Sequence, residues 1–299
     1  MLRTRLITAA ILAPIVVVVV VLGEPWLSLL LGLLAFLALV ELIALLDAGG
    51  FEPPQVPALL IGIGLVASGL IAANEANVGG PLAQVLDATS PPGLVAGATI
   101  AAMLLMAVVS FTRSEPRTAF ITWAMTTFGV AYVGLLLPSI GLVGHIAPSG
   151  GSPLSSVGIA GMGSGAAWTL TLVLVVWGYD TGAYLIGQRI GRTRLIDHIS
   201  PSKTVEGVAG GLVVATIGAG IGAVFVGLEP WHPLVIGPLV GLSAQAGDLA
   251  ESMLKRAAGR KESGFLVPGH GGILDRLDSF LFAAPVLAGY ALLVAGRIV

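Results

Sequence analysis

Nine long apolar runs alternate with short polar segments along the 299 residues of the chain. Each run contains about 17 to 25 residues, the length that an α-helix needs to cross roughly 30 Å of hydrocarbon. The predicted fold class is therefore an all-α, polytopic integral membrane protein. Its nine predicted spans lie at approximately 6–22, 26–46, 56–73, 94–111, 119–137, 167–186, 208–227, 234–250 and 279–296.

Composition agrees with a membrane protein and removes several kinds of chemistry. Hydrophobic residues make up 56% of the chain and charged residues only 10%. The chain has no cysteine, which excludes disulfides, thiolate metal sites and a cysteine nucleophile. The first apolar run is retained as a helix, because no convincing signal-peptide cleavage site follows Leu22 and another span begins almost at once.

The distribution of Lys and Arg predicts the orientation of the spans. Basic residues flank the cytoplasmic ends of membrane helices. With the N-terminus in the cytoplasm, 13 of the 14 basic residues fall on the cytoplasmic side, and only Arg297 falls outside. The 13 are Arg3, Arg5, Arg113, Arg117, Arg189, Arg192, Arg194, Lys203, Lys255, Arg256, Arg260, Lys261 and Arg276. The external connections 74–93 and 138–166 contain no Lys or Arg and are interpreted as linkers.

The remaining polar chemistry divides the chain into two predicted regions. Residues 1–166 form N-terminal helices that act as a lipid-facing scaffold, and residues 167–299 form the catalytic region. The first informative segment, 177–207, contains Asp180 within an apolar run, where a charge costs about 2.5 to 3.5 kcal/mol unless it has a partner or faces water. Asp180 is either a helix-packing contact or a functional group, and the basic loop after it either sets topology or binds anions.

A second segment begins inside the eighth predicted span. In a continuous helix, Asp248, Ser252 and Lys255 fall on one face, with Glu251 beside them. A Gly-rich loop at 268–272 follows, and its backbone can approach a ligand closely. Asp275 and Asp278 then lie one turn apart at the start of the last helix, where acids also suit the helix dipole.

Ordinary structural roles explain each of these groups alone, but they do not explain the combination at one predicted membrane face. Carboxylates without cysteine and with few histidines suit Mg²⁺, which binds through one or two carboxylates and substrate phosphates. The surrounding Lys and Arg suit a polyphosphate. A site of this composition at a bilayer surface indicates chemistry that joins a soluble phosphorylated substrate to a lipid.

The run from Ser252 to Asp278 resembles the signature of the phosphatidate cytidylyltransferases, the CDP-diacylglycerol synthases. The matching residues are Ser252, Lys255, Arg256, Lys261, Pro268, Gly269, His270, Gly271, Gly272, Asp275, Arg276 and Asp278. Glu262 departs from the pattern, because the family usually has Asp there. The stretches 180–184 and 200–207 are also similar to family segments. The resemblance is specific over about 177–288 and rests on hydropathy before that.

The resemblance implies that CTP and phosphatidic acid react to give CDP-diacylglycerol and pyrophosphate, at the cytoplasmic face of a bacterial-type inner membrane. It implies Mg²⁺ as cofactor, the lipid bilayer and a possible homodimer as partners, and no nucleic acid. The implied catalytic residues are Asp248, Lys255, Arg256, Asp275, Arg276 and Asp278. The implied substrate-binding residues are Asp180, Ser200, Ser202, Lys203, Thr204, Ser252, Lys261, His270, Gly271 and Gly272. Asp248 and Asp275 are the expected metal ligands, and Asp278 is a weaker third candidate.

Three other kinds of protein remain as alternatives. A transporter of anionic metabolites is expected to place its charges near the membrane midplane rather than at one face. A scaffold that binds anionic lipids uses basic residues but has no need for acids among them. A CTP-dependent lipid kinase shares the substrates and differs in its products, which are CDP and a phosphorylated lipid.

Overall fold

The computed structural model describes residues 2–75, 91–146, 165–266 and 271–295, and this part of the chain is almost entirely helical. In chain order, the first helices are α1 (Leu2–Leu22), α2 (Trp26–Ala48), α3 (Gln55–Glu75), α4 (Pro91–Ser110), α5 (Pro116–Leu136), the short α6 (Pro138–Val143) and α7 (Ala166–Ile190). Strands β1 (Arg194–Ile196) and β2 (Ser200–Thr204) follow, and then α8 (Val205–Val226), α9 (Pro233–Ala257) and α10 (Leu274–Ala295).

Each of the nine predicted spans corresponds to a helix, which confirms the predicted fold class. Seven stretches of the described chain are long and apolar enough to cross a membrane. They are Trp26–Ala48, Gln55–Asn74, Pro92–Ser110, Pro116–Val143, Ala166–Ile190, Val205–Val226 and Leu274–Val294. The other two predicted spans correspond to α1, whose apolar part is Ala10–Leu22, and to α9, which carries several charged residues in its C-terminal half.

A small β-hairpin joins α7 to α8, where the sequence predicted only a loop. Its strands are antiparallel, with Arg194 opposite Thr204 and Ile196 opposite Ser200. Strands of three and five residues are too short to show a clear alternation of polar and apolar positions, so hydropathy alone did not find them. The hairpin gives the basic segment a defined backbone.

The described chain forms two compact units, and each is built from separate parts of the sequence. The first comprises residues 1–10, 28–142 and 254–276. Its buried core contains side chains from four successive helices, namely Ile43, Ala58, Leu65, Met106 and Val130. Small residues allow close helix contacts within it: a Cβ on Gly134 would lie 2.7 Å from the Leu65 side chain.

The second unit comprises residues 11–27, 143–253 and 277–299. Helix α8 turns a row of buried glycines toward α7, at Gly207, Gly211, Gly218 and Gly222. A Cβ on Gly218 would lie 2.8 Å from the carbonyl oxygen of Leu174, and one on Gly211 would lie 2.8 Å from the Tyr179 ring. The two backbones therefore approach closely, as small residues permit in membrane helices. The hairpin lies between these two closely packed helices in the sequence, so their contact fixes the positions of its two ends.

Helix α9 joins the second unit through a buried polar contact. The Tyr179 hydroxyl donates to Oε1 of Gln245 at 2.9 Å, and both residues are buried. Gln245 lies one turn before Asp248, so the contact with Tyr179 fixes the part of α9 that carries Asp248. The predicted division at residue 166 assigns different roles to the two regions, and it stays a prediction. Each compact unit contains residues from both regions.

Candidate active site

Lys203 and Asp248 form an ion pair in the second unit. Lys203 Nζ donates to Oδ2 of Asp248, and the two side chains are 19% and 30% exposed. Oδ1 of Asp248 accepts a longer hydrogen bond of 3.3 Å from the Ser252 hydroxyl, one turn further along α9. This contact confirms the prediction that Asp248 and Ser252 share a helix face. The pair is partly open to solvent, so both charges remain accessible to a ligand.

Two local features fix the backbone around Lys203. Thr204 is the N-cap of α8: its backbone is extended, and its hydroxyl accepts from the backbone N–H of Gly207 at 3.1 Å. Glu206 accepts hydrogen bonds from the backbone N–H groups of Arg192, at 3.0 Å, and Thr193, at 3.2 Å. It therefore ties the start of α8 to the chain that enters the hairpin. Lys203 therefore lies near the end of β2, just before a capped helix.

The end of α9 has the geometry of a glycine-terminated helix. Gly259 has a φ of +65°, in the left-handed region that glycine adopts without strain. The N–H groups of Gly259 and Arg260 return to the carbonyls of Arg256 and Lys255, at 3.0 and 2.8 Å. These bonds satisfy carbonyls that the helix end leaves unpaired. The chain turns back at this point, so that Lys255 and the start of α10 come together.

Lys255 and Asp275 form a second ion pair, in the first unit. Lys255 Nζ lies 2.5 Å from Oδ1 of Asp275, and the side chains are only 12% and 7% exposed. Oδ2 of Asp275 accepts three further hydrogen bonds, from Ser263 N at 3.0 Å, Ser263 Oγ at 2.8 Å and Gly272 N at 2.8 Å. Asp275 is thus held by the loop through one oxygen and paired with Lys255 through the other.

Glu41, on α2, belongs to the same cluster and was missed by the sequence analysis. It is 5% exposed. Its carboxylate accepts from Ile273 N at 3.0 Å, Leu274 N at 2.9 Å and Ser263 Oγ at 3.2 Å. A lone acid inside an apolar run was the available signal, and the same argument was applied only to Asp180. Glu41 brings one of the predicted scaffold helices into the candidate site.

The glycines of the loop meet protein groups. Gly271 has a φ of +81°, which favours glycine. A Cβ on Gly272 would collide with the Glu41 carboxylate and with the Ser263 hydroxyl. Gly271 therefore lies against Asp275 and Gly272 against Glu41, and the predicted contact of both glycines with substrate stays a prediction.

The other predicted residues differ in their exposure to solvent. Asp180, Ser202, Arg256, Lys261 and Arg276 are exposed, and Ser200 and Asp278 are buried. Helices α9 and α10 pack closely at Asp278, since a Cβ on Gly247 would collide with its carbonyl oxygen. His270 lies outside the described residues.

The predicted metal ligands fall in different units. Asp248 and Asp278 belong to the second unit, and Asp275 belongs to the first. Over the described ranges, no group of three or more His, Cys, Asp or Glu side chains is arranged to hold a metal ion. The prediction that Asp248 and Asp275 bind one cation stays a prediction. What the geometry does provide is two ammonium groups, each placed against a carboxylate.

Comparison with known proteins gives a consistent assignment. A phosphatidate cytidylyltransferase of Synechocystis is 32% identical over 310 residues, which cover 97% of this chain and 96% of the relative. One from Staphylococcus aureus is 34% identical over 288 residues, covering 95% and 97%. One from Staphylococcus saprophyticus is 46% identical over a shorter stretch of 125 residues. The model of the cytidylyltransferase family matches residues 3–294, and the chain belongs to that family.

Proposed function

We propose that this protein is a phosphatidate cytidylyltransferase that makes CDP-diacylglycerol and pyrophosphate from CTP and phosphatidate. The observation that carries the proposal is the similarity to phosphatidate cytidylyltransferases over nearly the whole of both chains. Seven helical stretches long and apolar enough to cross a membrane, within the described ranges, suit an enzyme with a lipid substrate. Two Lys–Asp pairs, one partly exposed and one buried, suit a substrate that carries phosphate groups.

The proposed reaction needs alignment more than it needs a strong base. The phosphate monoester of phosphatidate has a second pKa near 6 and is largely ionised at pH 7. One of its oxygens forms a bond to the α-phosphorus of CTP. The bond from that phosphorus to the bridging oxygen breaks, and pyrophosphate leaves with the electron pair. The protein must hold two anions together and stabilise the charge that develops on the leaving group.

Lys203 and Lys255 are suited to that work. Each ammonium is paired with a carboxylate, which directs it before substrate arrives. A phosphate oxygen can accept from the Lys203 ammonium, because Lys has three donors and the Asp248 carboxylate takes one of them. In this proposal Lys203 binds phosphate in the second unit and Lys255 binds phosphate in the first, where the exposed Arg256, Lys261 and Arg276 supply further positive charge.

The carboxylates fit a Mg²⁺ ion whose coordination shell includes substrate oxygens, rather than one coordinated by protein groups alone. Asp275 is poorly placed to coordinate a metal ion, since its Oδ2 already accepts three hydrogen bonds and its Oδ1 faces Lys255. Asp248 fits better, because its side chain is 30% exposed and, among the residues that the structure describes, Oδ1 has only the 3.3 Å contact with Ser252. Mg²⁺ commonly binds through one or two carboxylates together with substrate phosphates. When bound, it would neutralise charge on the phosphates of CTP, with Asp248 as the principal ligand.

We further propose that both lysine pairs function at the cytoplasmic face of a bacterial-type inner membrane. The support is the bias of Lys and Arg, of which 13 of 14 fall on that side when the N-terminus is cytoplasmic. CTP is a charged, soluble substrate, so a cytoplasmic site gives it direct access. A homodimer stays a prediction.

The test is product analysis with purified protein. The protein is mixed in detergent micelles with CTP, Mg²⁺ and phosphatidate, and the reaction is followed as pyrophosphate release. We expect release that depends on phosphatidate and an equal amount of cytidine-containing lipid. A folded preparation that releases no pyrophosphate would contradict the proposal, and release of CDP would favour the lipid kinase instead.

A further inference from the structure

Glu41 is a buried acid whose carboxylate accepts hydrogen bonds from Ser263, Ile273 and Leu274. It lies in the second half of α2, within a stretch apolar enough to cross a membrane. A charge at such a position costs about 2.5 to 3.5 kcal/mol unless its environment compensates. Here the compensation is specific: Oε1 accepts from Ile273 N, and Oε2 accepts from Leu274 N. Both donors lie at the start of α10, where backbone N–H groups have no partner within the helix.

The chain is shaped to admit this carboxylate. Gly264 and Gly272 both pass so close to Glu41 that a Cβ at either position would collide with its carboxyl group. Gly264 lies in the segment that follows α9, and Gly272 lies directly before α10. The backbone at both positions therefore packs against the Glu41 carboxylate.

Ser263 connects Glu41 to Asp275. Its hydroxyl lies 3.2 Å from Glu41 Oε2 and 2.8 Å from Asp275 Oδ2, and its single proton is shared between the two acceptors. The backbone N–H of Ser263 donates to Asp275 as well. Glu41 thus holds the residue that supplies two of the three hydrogen bonds to Asp275 Oδ2.

We infer that Glu41 is a positioning residue for the proposed reaction, acting through Ser263 to orient Asp275 and, through Asp275, the ammonium of Lys255. With Oδ2 fixed by the loop, Oδ1 is directed at Lys255, 2.5 Å away. In the first unit, α2, a predicted scaffold helix, therefore orients Lys255 through Glu41. This inference rests on the proposed function, because it assigns Lys255 to the reaction.

The main variant is Glu41→Gln, which keeps the size of the side chain. Its amide has one acceptor oxygen, so either Ile273 N or Leu274 N loses its partner and faces an NH₂ group. Asp47→Asn is the matched control, because Asp47 is an exposed acid on the same helix. Small misplacements of reacting groups can cost about 100-fold in rate. We expect Glu41→Gln to lower kcat by about 10- to 100-fold with KM for CTP within about threefold, and Asp47→Asn to match the wild type.

Ser263→Ala tests the connection. Residues that act as one unit give losses that do not multiply, so the double variant should be little worse than the poorer single variant. Amide hydrogen exchange gives a second readout: Ile273 and Leu274 should exchange faster in Glu41→Gln than in the wild type. The melting temperature of each purified variant reports whether a loss of activity reflects unfolding.

Several results would overturn the inference. They are a kcat of Glu41→Gln within twofold of the wild type, an equal loss in Asp47→Asn, a rise in KM alone, or losses that multiply in the double variant. If Glu41→Gln cannot be recovered folded, Ser263→Ala decides, and wild-type turnover there refutes the connection. If the wild type makes no cytidine-containing lipid, the proposed function fails, and exchange at Ile273 and Leu274 still decides whether Glu41 holds the loop.

Discussion

The buried pair of Lys255 and Asp275 gives a prediction of stability that can be worked from the structure. Replacing Lys255 by Met keeps most of the side-chain volume and removes the ammonium. Asp275 is then left as a charge with 7% of its side chain exposed. Three hydrogen bonds to Oδ2 remain, from Ser263 and Gly272. The charge therefore loses its ionic partner while keeping its hydrogen-bonded loop.

Breaking a buried ion pair by removing one partner costs about 3 to 5 kcal/mol. Because the three remaining hydrogen bonds still stabilise the carboxylate, we place Lys255→Met near the lower end, at about 3 kcal/mol. The control is the pair of Arg113 and Glu52 in the same unit, which is 2.8 Å long with side chains 32% and 57% exposed. Exposed pairs contribute about 0 to 1 kcal/mol, so Arg113→Met should cost no more than that.

The free energy of unfolding can be measured for both variants by reversible SDS-induced unfolding in mixed micelles. We expect a clear difference between them, with Lys255→Met the more destabilised. A loss below about 1 kcal/mol for Lys255→Met, equal to that of Arg113→Met, would show that the environment of Asp275 is not the low-exposure one that the geometry indicates.

Three further predictions concern packing, metal dependence and topology. Gly218→Ala should destabilise the protein by about 1 to 3 kcal/mol, since the added Cβ would press on the Leu174 backbone. Gly220→Ala is the control and should be neutral or slightly stabilising, because a Cβ there meets nothing within 4 Å. The free energy of unfolding of both variants checks this, and equal losses would contradict it. Asp248→Asn should reduce turnover at least about tenfold and raise the Mg²⁺ concentration for half-maximal rate, and an unchanged Mg²⁺ titration would remove Asp248 as a ligand. Single cysteines at His198 and Glu229 should react with a membrane-impermeant thiol reagent from opposite sides, His198 from the cytoplasm, and labelling from the same side would overturn the orientation.

Hydropathy predicted the helices because the length of an apolar run is set by the thickness of the bilayer. The run predicted at 26–46 corresponds to Trp26–Ala48, and the run at 208–227 corresponds to Val205–Val226. Helical periodicity also brought Asp248 and Ser252 to one face, as their hydrogen bond confirms. Helix length and the face on which a residue lies are therefore predictable from the sequence, because both depend on neighbouring residues alone.

Contacts across long sequence separations were not visible in the same way. Glu41 lies 232 residues from Ile273, and no local pattern links the two. Its carboxylate and that of Asp180 gave the same signal, an acid in an apolar run, yet Glu41 is buried and Asp180 is exposed. Only the folded chain distinguishes them, because burial depends on which helices meet.

The partner of Lys255 illustrates a related limit. The sequence placed Lys255 on the face of α9 that carries Asp248, since the spacing of seven residues is two helical turns. In the structure its ammonium pairs with Asp275, which the turn at Gly259 returns toward the end of α9. A long side chain at a helix end takes its partner from the segment that follows, and a glycine with positive φ decides where that segment goes.

The position of the transferred phosphorus tests the central claim most directly. Purified protein is given phosphatidate, Mg²⁺ and CTP labelled with ³²P either at the α- or at the γ-phosphate, and the lipid and aqueous fractions are counted. Cytidylyl transfer predicts α-label in the lipid and γ-label in pyrophosphate. Appearance of γ-label in the lipid, or of neither label with a folded protein, would contradict the proposed function.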